Sequence, residues 1–112
     1  MALKAATAEE AASKLLALLP ARGWLIALDE RGVDLDSLGF SRLLTDAADQ
    51  GVTTLVYALG GAYGHAASVR EQARRVVRLS PLVMNHAVAR VVLYEQIYRA
   101  CTIRAGEPYH HG

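Results

Sequence analysis

The hydrophobic positions along this chain alternate between helical and strand-like spacing, and the switches mark its elements. From Thr7 to Leu19 apolar residues recur at helical spacing, and Leu15, Leu18 and Leu19 are predicted to face a core. Thr7 and Glu10 have the spacing of a capping box, and Pro20 and Gly23 end the segment. Residues 24–28, Trp-Leu-Ile-Ala-Leu, are continuously apolar, as in a strand covered on both faces. Asp29-Glu30-Arg31-Gly32 then reads as a polar turn. A second helix is predicted from Asp36 to Gln50, with Phe40, Leu43, Leu44, Ala47 and Ala48 as its buried stripe and Gly51 as its stop. Residues 52–59 form a second strand, closed by Gly60-Gly61-Ala62-Tyr63-Gly64. A third helix is predicted over 66–75, with Val69 and Ala73 inward, Arg70 and Arg74 on one face and Glu71 paired with Arg75. Val76 to Leu79 make a short third strand, residues 80–85 a loop, and residues 86–103 the last and longest helix.

Helices separate every pair of strands. The connections are therefore crossovers, and the expected fold is α/β with a parallel sheet. The last helix departs from simple amphipathicity. Val88, Val91, Val92, Leu93, Ile97, Ala100 and Cys101 spread apolar surface around most of its circumference. Such a helix needs cover on more than one side. In a chain of 112 residues the second cover is easiest to supply from another subunit.

Composition fits one folded domain over residues 1–112: 53% of residues are hydrophobic and 21% charged. The single cysteine, Cys101, rules out a disulfide framework within the chain. No run nears the ~18 apolar residues of a membrane span, and Met1–Ala12 lacks the shape of a secretory signal. The net charge of +1 conceals an asymmetry. Residues 1–61 carry five basic and eight acidic side chains, whereas residues 62–112 carry seven arginines and three acids. A polyanion would favour the second half. A solvated charged face is the plainer alternative.

The candidate chemistry sits where the strands end. Gly60, Gly61 and Gly64 follow a buried strand directly, the position at which open α/β sheets bind ligands. They can equally serve a tight turn. The spacing matches neither a dinucleotide fingerprint nor a Walker loop. Asp29–Gly32, Gly60–Gly64, Ser80–Asn85 and the tail from Gly106 are expected to converge on one edge. Backbone groups there can clamp an adenine and a ribose, with Leu28, Leu79, Leu82 and Met84 as the apolar lining. Met84 can instead be ordinary core. His86 and Arg90 lie one turn apart, and His86 can titrate near neutrality or simply bond the loop. Glu95 and Arg99 are spaced for an ion pair, while Arg99 can alternatively reach a phosphate or carboxylate. His65 is expected to be exposed or to cap the third helix. His110 and His111 are adjacent, but the ligand spacing of a structural metal site is missing, and no metal is expected.

Four stretches together carry a resemblance. LDERG at 28–32, LGGAYGH at 59–65, LSPLVMNHAVARVVLYEQIYRA at 79–100 and GEPYHH at 106–111 resemble the RlmH-type methyltransferases of the SPOUT superfamily. The resemblance covers residues 8–112, and the wording of 69–100 looks closest to plant and algal plastid-type members. It implies a parallel-sheet SPOUT domain with a C-terminal trefoil knot. It also implies S-adenosylmethionine as cofactor, a homodimer whose subunits build each site jointly, and methyl transfer to N3 of a pseudouridine in large-subunit rRNA. The partners would then be rRNA or the ribosome, without DNA or membrane. The location would be the cytoplasm in a bacterium and the plastid in a plant or alga. By position, Leu28, Gly60, Gly61, Leu79, Ser80, Leu82, Val83 and Met84 would surround the cofactor. Tyr109 and His110 would lie near the target base, with Arg99 as a positioning group. Ala62 stands where many members have proline, and Val83 where many have threonine. The family's usual strand–helix–strand ahead of Thr7 is missing, so the domain reads as N-terminally shortened. A non-catalytic RNA-binding or ribosome-associated relative, gripping RNA through Arg70, Arg74 and Arg78, is the alternative.

Overall fold

The computed structural model describes residues 8–60, 65–80 and 85–106. Within them the order is α1 (Ala8–Leu18), β1 (Gly23–Asp34), α2 (Ser37–Asp49), β2 (Thr54–Leu59), α3 (Ala67–Gln72), β3 (Arg75–Arg78) and α4 (His86–Ala105). The three strands form one parallel sheet in the order β2-β1-β3. The expected α/β class and parallel pairing are both present.

Strand alternation sorts the core into two layers. Ile26, Leu28 and Val77 point to one face, where they meet Phe40 and Leu43 of α2 and Leu93 and Ala100 of α4. Leu25, Ala27 and Ala58 point to the other, against Ala12 of α1 and Val69 of α3. Helices thus cover both sides of β1, which explains its unbroken apolar run. On α1 the inward stripe is Ala12, Leu15, Leu16 and Leu19, and Leu18 is exposed instead of buried as expected. The reason is angular: at 3.6 residues per turn Ala12, Leu15, Leu16 and Leu19 fall within about 100° of arc, and Leu18 lies roughly 60° beyond it. The Thr7 cap lies outside the described residues.

Helix α2 starts where Asp36 accepts a hydrogen bond from Gly39 N at 2.7 Å. Its end passes into Gly51 at φ 74°, a left-handed conformation that glycine adopts without strain. Its stripe follows expectation at Phe40, Leu43, Leu44 and Ala47, while Ala48 is exposed. Helix α3 ends earlier than predicted. Arg74 N already donates to Leu25 O at 2.7 Å, so the chain has joined the sheet at a point assigned to helix from spacing alone. Arg75 consequently opens β3 and donates to Arg74 O, in place of the expected pair with Glu71.

The larger correction concerns residues 29–32. They are not a turn after β1. β1 runs on to Asp34, and both Leu28 and Val33 register with Val77 of β3, so four residues form an irregular excursion between two points of the same ladder. Gly32 lies in that excursion. A Cβ there would stand 2.6 Å from the Val76 carbonyl and Val77 N. Only glycine permits this approach of two backbones.

Candidate functional site

The carboxyl ends of β2 and β3 meet β1 at Leu28, midway along that strand, and bring the candidate residues together. Leu28 is buried and pairs in register with Leu59 of β2 and Val77 of β3. Gly60 follows β2 and donates its N–H to Leu28 O at 3.3 Å. Leu79 follows β3 and is half-buried against the same core, with Ser80 next to it. Leu28, Gly60, Leu79 and Ser80 therefore share one sheet edge, as expected. Gly61, Leu82, Val83, Met84, Tyr109 and His110 lie outside the described residues.

Beside this edge is a polar node that the sequence reading missed. The Asp29 side chain has 0% exposure. Its Oδ2 accepts from His65 N at 2.9 Å, and its Oδ1 accepts from Arg31 N at 2.9 Å and Arg31 Nη1 at 3.2 Å. Arg70 Nη1 stands 4.0 Å from Oδ2 and donates to the His65 carbonyl. Burial alone raises the pKa of Asp29. The hydrogen bonds from His65 and Arg31, with the Arg31 charge, outweigh it and hold the carboxyl below its ordinary value. His65 is half-buried, and its Nε2 lies 2.8 Å from Ala58 O. It is neither free in solvent nor a side-chain cap, since Ala66 begins α3 without one. The signal available in the sequence was an acid directly after a buried strand. Its distant donor, 36 positions on, was not readable.

Helix α4 begins at the same edge. Asn85 caps it by accepting from Val88 N at 2.9 Å. The helix packs on α2 through Leu93 and Ala100, and Ser37 Oγ donates to Gln96 Oε1 at 2.6 Å. Its far end, with Cys101 and Arg104, flanks Thr53 and Thr54 at the start of β2, so α4 runs back along the sheet. Arg99 is ion-paired with Glu95, through Nε at 2.9 Å and Nη2 at 2.5 Å. It lies roughly 20 Å along the helix from His86 at 1.5 Å per residue. The side chain of His86 lies outside the described residues, and Arg90 is exposed. The outer face of α4 is apolar and uncovered: Val91, Tyr94 and Tyr98 are 67%, 63% and 54% exposed.

The arginines are largely engaged. Arg78 makes a bidentate pair with Asp34 at 2.7 and 2.8 Å, which lowers the Asp34 pKa and raises that of Arg78. Arg74 stacks on the Trp24 ring, 4.7 Å from its centroid. With Arg70 held at His65, RNA contact through these three residues would compete with existing partners. Among the described residues there is no metal-binding cluster, and no helix is long and apolar enough to cross a membrane.

A parallel sheet covered by helices on both faces, with Gly60 directly after β2, defines an α/β domain of the open-sheet kind. Residues 2–110 match the family model described as "Predicted SPOUT methyltransferase", and the chain belongs to that family. It is 46% identical to the ribosomal RNA large subunit methyltransferase H of Trichlorobacter lovleyi over 112 aligned residues, covering 96% of the chain and 73% of the relative. The protein of that name from Rhodopseudomonas palustris is 47% identical, over 92% of the chain and 64% of the relative. An Arabidopsis thaliana protein assigned by name to the RNA methyltransferases is 43% identical over 95% of the chain, which spans 55% of its length. The two bacterial relatives are slightly more identical to the chain than the plant one is.

Proposed function

We propose that this chain is the cofactor-binding part of an S-adenosylmethionine-dependent methyltransferase acting on large-subunit rRNA, and that the methyl acceptor is N3 of a pseudouridine. The observation that carries this reading is the juxtaposition of Leu28, Gly60, Leu79 and Ser80 at one sheet edge in a SPOUT-family chain.

The donor set suits the cofactor. Leu79, half-buried over the core that holds Leu28, would offer an apolar wall, and the loop residues would offer backbone groups, which is what an adenosine needs. The Asp29 carboxylate beside the edge is already held by protein donors. Leu28, Gly60, Gly61, Leu79, Ser80, Leu82, Val83 and Met84 would hold S-adenosylmethionine, which when bound supplies a methyl group on an already activated sulfonium. The protein's task is then alignment and removal of the N3 proton. His110 or Tyr109 would accept that proton as the N–CH3 bond forms, and Tyr109 would need a lowered pKa to do so.

Helix α4 supports a homodimer. Its Val91–Tyr94–Tyr98 face is a continuous apolar stripe at helical spacing. In such a pair Arg99 and the tail would serve the site of the other subunit, and a C-terminal knot would place the tail there. The cellular setting would be the cytoplasm in a bacterium or the plastid in a plant or alga.

Calorimetry with S-adenosylmethionine tests the cofactor, and methyl transfer to a pseudouridine-containing rRNA fragment tests the substrate. Folded protein that shows no heat at millimolar cofactor would remove the reading. Light scattering after gel filtration tests the dimer, and Tyr94→Lys is expected to convert it to monomer.

A further inference from the structure

The glycine segment is anchored at both ends to consecutive residues of β1. At its start Gly60 N donates to Leu28 O. At its far end His65 N donates to the Asp29 carboxylate. The second anchor has unusual cost. A carboxylate with no solvent contact is destabilising unless it is hydrogen-bonded and paired. Asp29 meets both conditions. It takes two backbone N–H groups and one guanidinium N–H, and Arg70 approaches it from α3 while holding the His65 carbonyl. The same four-residue excursion that buries Asp29 requires Gly32 to touch the β3 backbone. Donors from β1 and α3, with His65 between them, are therefore arranged around one acid.

A merely structural ion pair would not need this. Arg31 is half exposed, and an Asp29–Arg31 pair alone would form equally well at the surface. The contact that needs burial is the one to His65, which brings the end of the glycine segment onto β1 beside Leu28. We propose that Asp29 is a positioning residue: its carboxylate sets the exit of the glycine segment relative to Leu28, and so shapes the cofactor site without touching the ligand. This rests on the methyltransferase reading.

The test compares the intact chain with Asp29→Asn and Asp29→Ala, using Asp34→Asn as control. Asparagine keeps one acceptor oxygen but turns an N–H toward donors that now have none. Both Asp29 variants are expected to weaken S-adenosylmethionine binding by about tenfold or more, while affinity for the rRNA fragment stays within about twofold. In turnover, KM for the cofactor rises while kcat at saturation changes far less. By amide hydrogen exchange, the His65 N–H exchanges faster in the variants than in wild type. Wild-type cofactor affinity in both variants would overturn the proposal. So would parallel loss of cofactor and RNA binding together with a collapsed melting transition, which marks a general folding role. If Asp29→Ala does not fold, Arg70→Ala perturbs the His65 carbonyl from the other side, and an unchanged cofactor affinity there together with an unchanged one in Asp29→Asn overturns the proposal. A wild type that binds no S-adenosylmethionine removes the functional reading and this role with it. The His65 exchange rates then still report whether the anchor exists.

Discussion

The two halves of β1 share a strand and differ in almost everything else. Residues 23–28 pair in unbroken register with 54–59 of β2, and Leu25 to Leu28 are buried between two helical layers. Residues 29–34 are mostly polar, pair only with β3, and do so through an irregular excursion. The first half is held by apolar area. The second is held by particular polar and steric contacts: Asp29 to His65, Gly32 against Val76 and Val77, Asp34 to Arg78. The contrast teaches where stability and function separate along one element. A regular ladder supplies the floor, and its disrupted continuation arranges the edge where the cofactor is proposed to bind.

Substitutions can break this contrast in order of severity. Ile26 is fully buried in the first half, and Ile26→Ala should cost about 2–5 kcal/mol in chemical denaturation, with loss of folded protein if the margin is thin. In the second half, Gly32→Ala should cost about 1–3 kcal/mol, because its Cβ meets backbone that cannot rotate away. It should also disturb cofactor binding more than Ile26→Val does at equal stability, as titration calorimetry would show. Equal effects would erase the distinction between the halves.

Tyr57, beside Ile26 in the ladder, sharpens the point by pH. Burial, with a smaller electrostatic contribution from Cys101, pushes its pKa up to about 12. The folded state therefore favours the neutral phenol. The associated stability is complete below pH ~10, the unfolded value, and is lost as the pH rises toward 12. The loss should approach roughly 2 kcal/mol, and Tyr57→Phe should abolish this part of the alkaline slope in denaturation curves. The smallest effect is expected at the tip of the second half. Asp34 and Arg78 form a well-aligned but exposed pair, so Asp34→Asn should leave the melting temperature near wild type, with any difference vanishing in high salt.

Much of this was legible in the sequence. Both long helices end within about two residues of their expected limits, because caps and glycine stops act locally. Gly60, Leu79 and Ser80 come together because the parallel β2 and β3 send their carboxyl ends the same way, and Leu28 joins them from within β1. The errors have a common origin. DERG has turn-like composition, yet it is drawn into β1 by β3. The spacing of 66–75 is helical, yet Leu25 O captures Arg74 N. The exposed Val91, Tyr94 and Tyr98 are a different case, since the apolar spread of the last helix already called for cover from outside its own chain.

By itself the sequence determined the order and kind of the elements, the parallel connection of the strands and the position of the glycine-bearing edge, since each follows from periodicity and local backbone preference. Tertiary structure alone decided the strand order β2-β1-β3, the continuation of β1 through Asp29–Asp34 and the burial of Asp29 under His65. Those outcomes depend on hydrogen bonds and close approaches between segments tens of residues apart. Such partners meet only after the chain has folded, and they leave no period or local composition to be read beforehand.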